Sequence, residues 1–243
     1  MHLKDKVTVI TGAGRGIGRT MALAFAKEGA KVALAARTEK EITETAREIE
    51  SFGGHAVAIP TDLTSEKDVR SLIQETESSL GPIDILINNA AVLKLALITE
   101  MSAADWDELF SVNLRSVFLT CRETLPGMIE RGSGRIINIG SMAGRRGYAE
   151  QGAYCASKHG LIGLSKVLAL ETQKHGIRIH VLSPGGVLTD LSKELRESRG
   201  GVSDDEWMTT YEVAQAALYL CTQNGAAFTD ELVLRRYESE PWR

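Results

Sequence analysis

Seven short apolar runs alternate with stretches rich in helix formers along almost the whole chain, and this alternation restricts the fold more than any other feature. The runs fall at residues 7–10, 31–36, 56–59, 83–87, 135–139, 177–182 and 231–234. Between them lie helical stretches at 16–28, 39–51, 66–80, 104–130, 153–175 and 212–222. Continuously apolar strands are buried on both faces, and strands joined by helical crossovers run parallel. Right-handed crossovers then wind the units outward in two directions. The expected fold is α/β, a doubly wound parallel sheet of about seven strands with helices on both faces, built as one domain over residues 1–243. Thr64 or Ser65 is positioned to cap the third helix, with Gly81-Pro82 as its stop. Pro126 predicts a kink or an early end in the long fourth helix.

Composition narrows the function. The 243 residues are 43% hydrophobic, enough for one sizeable core or two small ones. A net charge of -4 with no basic block gives no electrostatic support to nucleic-acid or membrane-surface binding. Cys121, Cys155 and Cys221 are odd in number and widely spaced, without a CxxC or Cys/His pairing, so neither a metal site nor a disulfide framework is expected. The start, MHLKDK, carries no apolar signal region, and no run is long enough to span a bilayer. A soluble, cytoplasmic protein is the expectation.

The first run leads directly into TGAGRGIG, with glycine at 12, 14, 16 and 18. In a doubly wound sheet this turn lies at the carboxyl edge, beside the reversal of strand order. A phosphate there meets unpaired N–H groups and the positive end of a helix dipole, and glycine lets it approach. Ile17 breaks the usual G-x-G-x-x-G spacing, leaving Thr11-Gly12-x-x-x-Gly16-x-Gly18. By itself the stretch also fits a plain strand-to-helix turn.

Further on, YCASK sets Tyr154 and Lys158 four residues apart, on one face of a helix. An ammonium beside a phenol favours phenolate and moves the group toward acid–base work. Ser141 follows the fifth strand and emerges at the same carboxyl edge, where its hydroxyl can donate to a carbonyl oxygen. Asn113 sits within the long helix, where Asn is a mediocre helix former. Read separately, the Tyr/Lys pair is also consistent with surface decoration, and Asn113 with an exposed polar residue.

Together, Thr11-Gly12-x-x-x-Gly16-x-Gly18, Asn88-Asn89-Ala90, Asn113, Ser141, Tyr154-x-x-x-Lys158 and Pro184-Gly185 occur in the order seen in short-chain dehydrogenases/reductases, and the chain resembles the single-domain branch of that family over nearly its whole length. The resemblance implies a Rossmann-type sheet and an NADP(H)- or NAD(H)-dependent interconversion of a carbonyl and a secondary alcohol. Tyr154 would be the general acid/base. Lys158 would lower its pKa and bind the nicotinamide ribose, Ser141 would orient the substrate oxygen, and Asn113 would hold a water joining Lys158 to solvent. The cofactor would be bound by Gly12, Arg15, Gly16, Ile17 and Gly18, by Arg37, by Asp62 and Leu63, by Asn89 and Ala90, by Tyr154 and Lys158, and by Pro184, Gly185, Val187 and Thr189. For Asp62 the alternative is a helix cap or turn residue. A homo-oligomer, tetramer or dimer, is also implied, with the helices around Asn113 and Tyr154 packing on symmetry mates; their apolar residues could instead be buried within one subunit.

The second strand ends Ala35-Ala36-Arg37, with no acidic residue to accept from a ribose 2′-hydroxyl. Arg15 and Arg37 suit a 2′-phosphate, which favours NADP(H) over NAD(H). Arg15 could instead be solvated and Arg37 paired with Glu39. The chain departs from the family at Ala91, where glycine is usual, and at His180, where Asn is common. His180 is expected to be satisfied structurally rather than functional. The ending TDELVLRRYESEPWR also departs from the family's bacterial acyl reductases. Its Arg235, Arg236 and Trp242 could cover the pocket or a neighbouring subunit, or form a solvated tail. Substrate choice, and a mobile lid hinged at Gly200-Gly201, are expected within 190–210. Arg145 and Arg146 could attract an anionic substrate or an acidic carrier protein, or be ordinary surface or interface residues. An NAD-linked alcohol dehydrogenase and a non-catalytic NADP(H)-binding sensor or scaffold are the competing readings.

Overall fold

All seven expected strands form: β1 (Val7–Thr11), β2 (Lys31–Ala36), β3 (His55–Pro60), β4 (Ile85–Asn88), β5 (Gly134–Ile139), β6 (Ile177–Pro184) and β7 (Glu231–Leu234). The structure is a computed structural model that describes residues 1–199 and 206–239. The strands pair in the order β3-β2-β1-β4-β5-β6-β7, every neighbour parallel. Winding reverses between β1 and β4, so the connections leaving these strands diverge and open a crevice at their carboxyl ends.

Strand alternation assigns the two core layers. Ile10, Leu34, Ile87 and Ile137 face α1 (Gly16–Lys27), α2 (Glu39–Ser51) and α8 (Thr210–Thr222). Their neighbours Val9, Ala33, Leu86 and Ile136 face α3 (Glu66–Leu80), α5 (Ser116–Arg131) and α6 (Gly152–Thr172). The doubly wound, two-faced sheet is therefore as expected. Ser65, not Thr64, caps α3, accepting from the Asp68 N–H at 3.3 Å.

The long fourth helix differs from expectation. It is divided into α4 (Ala103–Phe110), a π-helical turn (Ser111–Arg115) and α5. The break falls at Ser111, where Ser116 N–H reaches back five residues to the Ser111 carbonyl. Pro126 is carried inside α5, which ends instead at Gly132 in the left-handed region, φ 63°. A π-turn inserts one extra residue and re-aims the side chains around it, and Asn113 is at its centre. The segment after Thr189 forms a short 3-10 turn (Asp190–Ser192) and α7 (Lys193–Arg199). The expected Gly200-Gly201 hinge and Trp242 lie outside the described residues.

A buried polar chain joins the sheet to α5 and α6. Thr120 donates to Asn88 Oδ1 at 2.7 Å, Asn88 Nδ2 to Asn138 Oδ1 at 2.9 Å, and Asn138 Nδ2 to Ser165 Oγ at 2.8 Å. These bonds tie β4 and β5 to α5 and α6 with directional contacts that an apolar interface lacks. They set the position of α6, which carries Tyr154 and Lys158.

Candidate active site

The crevice is built from the β1 end outward. Thr11 Oγ1 accepts from the Asn89 and Ala90 N–H groups at 2.9 and 3.1 Å, and Asn89 Nδ2 donates to the Thr11 and Gly12 carbonyls at 2.9 and 3.3 Å. This clamp holds the glycine turn against the end of β4. Gly12 has φ +65°, and a Cβ on it would lie 3.0 Å from the Ala90 Cα. A Cβ on Gly18 would fall 2.1 Å from the Gly12 carbonyl oxygen. Gly18 thus lets α1 pack on its own turn and does not line the crevice, unlike its expected direct role. Arg15 precedes α1 without a side-chain cap, and no acidic residue occupies the first turn. The first-turn N–H groups are left for an anion.

The crevice has a volume of about 350 Å³. Gly12, Arg15, Gly16 and Ile17 line it from the turn, Arg37 from the end of β2, Asp62 and Leu63 from the end of β3, and Asn89, Ala90 and Ala91 from the end of β4. Ser141, Tyr154 and Lys158 line it from β5 and α6, and Pro184, Gly185, Val187 and Thr189 from β6. Asp62 is also a turn residue: its Oδ1 accepts from the Thr64 N–H and hydroxyl at 2.9 and 2.8 Å, which holds its carboxyl below the usual range. Arg15 Nη1 lies 3.8 Å from Asp190, both well exposed.

Tyr154 and Lys158 share a face of α6, the Lys158 Nζ lying 5.7 Å from the Tyr154 ring centroid. Lys158 is only 2% exposed and donates to the Ile139 carbonyl at 2.8 Å. Burial pulls its pKa down to about 8. The expected lowering of Tyr154 by Lys158 is not found here. Burial pushes the phenol up to about 12 despite a hydrogen bond with Ser141, because Lys158 is turned onto the carbonyl at the end of β5. Ser141 Oγ accepts from the Ala143 N–H at 3.1 Å, which fixes the hydroxyl at the mouth of β5. The turn after it is tied down by Arg145, paired with Glu231 at 2.7 Å, whose other oxygen accepts from Ser183 at 2.8 Å.

Asn113 is buried rather than exposed, and its side chain lies behind the crevice wall. Its Oδ1 accepts from the Val92 N–H at 2.8 Å, and its Nδ2 donates to the Val92 carbonyl at 2.9 Å and to Ser157 at 3.3 Å. The amide holds Val92 and the residue before Lys158 rather than facing the reacting groups. His180 is away from the crevice. Its Nδ1 bonds the Thr229 carbonyl at 2.7 Å, its ring stacks on Phe228, and burial lowers its pKa to about 4. Cys121, Cys155 and Cys221 are free and buried, and among the described residues no cluster could hold a metal.

Sequence reasoning missed Glu41, Gln151 and Trp207, and left Arg146 and Arg236 undecided; all five line the crevice. Glu41 stands on the first turn of α2, at the same edge as Arg37, so its place was readable from topology. Trp207 and Arg236 arrive through long-range pairing, Val187 with Met208 and Gly185 N–H with the Leu234 carbonyl. No local pattern marks such contacts.

The family model described as short chain dehydrogenase matches residues 6–200. The 3-oxoacyl-(acyl-carrier-protein) reductase of Mus musculus is 36% identical over 218 residues, covering 89% of this chain and 91% of that protein. The FabG reductase of the same name from Escherichia coli is 33% identical, covering 95% and 96%. Among solved structures, a metagenomic short-chain oxidoreductase in complex with NADP aligns with TM-score 0.84 and 33% identity, covering 97% of this chain and 99% of that one. A short-chain type dehydrogenase/reductase from Mycobacterium marinum aligns with TM-score 0.91 and 31% identity, covering 98% and 97%. With its sheet order and the crevice at the sheet's reversal point, the chain belongs to the short-chain dehydrogenase family and is an oxidoreductase of that family.

Proposed function

We propose that the chain reduces a carbonyl to a secondary alcohol, with NADPH as the bound reductant. The observation that carries this reading is the meeting of Ser141, Tyr154 and Lys158 with the uncapped start of α1 in one crevice. Bound NADPH would supply the hydride that reaches the carbonyl carbon. Tyr154 gives its proton to the oxygen, Ser141 donates to the same oxygen, and Lys158 places a positive charge nearby. Burial holds the Tyr154 phenol protonated at neutral pH, so in the resting site it has a proton to give to the substrate oxygen. Asn113 is a positioning residue, acting through Val92 and Ser157.

The crevice fits the cofactor. The start of α1 offers N–H groups to a pyrophosphate, and the guanidiniums of Arg15 and Arg37, which line the same crevice, suit a 2′-phosphate. One observation favours NAD(H) instead: Glu41 brings a carboxylate against Gly14, close enough that a Cβ there would lie 2.7 Å from its Oε2. The strand β2 itself leads into Arg37 with no acidic residue at its end to repel a 2′-phosphate, which favours NADPH.

We propose also that the chain acts as a single unit over 1–243 with a substrate lid at about 190–210, and that it assembles as a homo-oligomer through α5 and α6. Phe118, Val167 and Leu170 are exposed on these helices, Leu170 at 78%. Patches of this kind mark protein contacts. Among the described residues no helix is long and apolar enough to cross a membrane. The three free thiols suit the reducing cytoplasm; recovery in a membrane or secreted fraction would refute that location.

Tyr154→Phe is expected to lower kcat for carbonyl reduction about 10²–10⁴-fold while NADPH still binds; an unaffected kcat overturns the acid assignment, and NADPH binding without turnover of any carbonyl supports a sensor. Arg37→Gln is expected to raise the KM for NADPH about tenfold and leave that for NADH nearly unchanged; equal effects on both would remove the 2′-phosphate reading. Lys158 normally titrates near 10.5 and is here near 8, so between those values the unfolded chain binds more protons and stability rises with pH. Wild-type stability relative to Lys158→Met should therefore climb between about pH 7 and about pH 10 in urea denaturation; a flat or falling difference contradicts the buried charge. Sedimentation at micromolar concentration should give a dimer or tetramer, and a monomer would refute the assembly.

A further inference from the structure

The wall of the crevice beyond β6 is made by residues brought from three places. Gly186 lies against Trp207, close enough that a Cβ on Gly186 would fall 2.6 Å from the indole ring, and it also approaches the stem of Arg236. The Arg236 guanidinium stacks over the Trp207 ring at 5.1 Å. Arg235, its neighbour, spends its charge locally: Nη1 donates to the carbonyls of Arg236, Tyr237 and Ser239 at 3.0, 2.7 and 2.8 Å, which closes the turn after β7. Arg236 has no such outlet. Among the described residues its Nε donates to the Ser239 hydroxyl at 3.3 Å, and its Nη1 is buried with no acceptor. The indole Nε1 of Trp207, a residue 5% exposed, is likewise buried without an acceptor.

A buried donor without a partner is costly, and a charged and a neutral one in the same wall form a site for a hydrogen-bond acceptor. No carboxylate among the described lining residues neutralises it. Glu41 lies against Gly14, Asp62 is taken up by Thr64, and Asp190 lies 3.8 Å from Arg15. Arg146 adds a further cation beyond Ser141, stacked over Tyr148 at 4.8 Å.

We infer that the carbonyl substrate carries an anionic head, carboxylate or phosphate, which Arg236 and the Trp207 indole N–H bind. The inference rests on the reading of the crevice as a carbonyl-reducing site. A planar guanidinium placed over an indole ring can offer its N–H groups to such an oxyanion. The anion then becomes the missing acceptor for both buried donors and sets which end of the substrate points away from Tyr154. A neutral substrate would leave both donors unpaired, and that difference makes the site selective.

The test follows NADPH absorbance with oxo acids paired with their methyl esters, and oxo phosphates paired with their neutral alcohols. Wild type is expected to favour the charged member of one series at least about tenfold in kcat/KM, mainly through KM, and the favoured series distinguishes carboxylate from phosphate. Arg236→Gln should reduce that ratio to about threefold or less, and Arg236→Lys should retain part of it. The ratio is read within each variant, so a folding loss that lowers both members alike cannot mimic the effect. No charged preference in wild type, an unchanged ratio in Arg236→Gln, or a rise confined to the KM for NADPH overturns the anion site. Titration of the NADP⁺-loaded protein with acetate, and separately with inorganic phosphate, reads binding without turnover. Tryptophan fluorescence should change saturably with one of them in wild type and not in Trp207→Phe or Arg236→Gln; no change with either overturns the inference. Saturable anion binding in a protein that reduces no carbonyl upholds the anion site and defeats the reduction reading, while reduction of neutral carbonyls without charged preference does the reverse.

Discussion

A parallel sheet that reverses its winding between β1 and β4 cannot close over the carboxyl ends of those two strands. The connections from β1 and β4 leave toward opposite faces, and what remains between them is a crevice bordered by strand ends. Every element of the candidate site follows from that opening. The glycine turn is there because it leaves β1, Ser141 because it leaves β5, and the Pro184–Thr189 segment because it leaves β6. The Thr11–Asn89 clamp is the local device that keeps the opening in shape, since it joins the two strands at which winding reverses. Asn89 spends its side chain on that clamp, so its contribution to a ligand comes from where it holds the turn.

Placing a lysine inside this opening has a cost, and the structure shows how it is limited. Lys158 is nearly inaccessible, has one carbonyl acceptor and titrates near 8. It still carries its charge at neutral pH, supported by a single strong contact at the end of β5. Tyr154 beside it is shifted the other way, because burial disfavours the charged form of each group and the charged forms are opposite. The pair is therefore held as ammonium and phenol. That pairing of protonation states follows from the packing of α6 on the sheet. The Asn88–Asn138–Ser165 chain secures the same packing from below.

Most of the fold was legible in the sequence because its cause is local. Alternating apolar strands and helices fix a parallel sheet, and strand ends fix which loops meet; Ser141, Tyr154 and the glycine turn could be brought together without coordinates. Three features were not legible, each for a physical reason. The break at Ser111–Arg115 is a change of one residue in helical register that leaves no mark in composition, so the visible breaker, Pro126, drew the expectation instead. The sign of the Tyr154 shift depends on whether burial or the ammonium dominates, and that is decided by where Nζ points. The resemblance put Gly18 in the cofactor site, but which atom needs the missing Cβ there is a matter of three-dimensional approach: it is the Gly12 carbonyl oxygen.

The substrate end of the crevice shows the same division between local and distant causes. The crevice's glycine-turn end is built by turns that directly follow strands, so its residues fall at positions that the sequence pattern marks. The opposite wall is assembled from the Gly186 loop, the Trp207 segment and the turn after β7, far apart in the chain and joined by backbone pairing at Met208 and Leu234. Such a wall can change its side chains without disturbing the sheet, because none of the three segments carries a strand's core face. This chain has used that freedom to set a guanidinium and an indole N–H where an apolar or uncharged lining would fold equally well. Among the described residues these two buried donors lack acceptors, a penalty that apolar residues of similar shape would avoid. A ligand that supplies oxygen atoms would pair both donors.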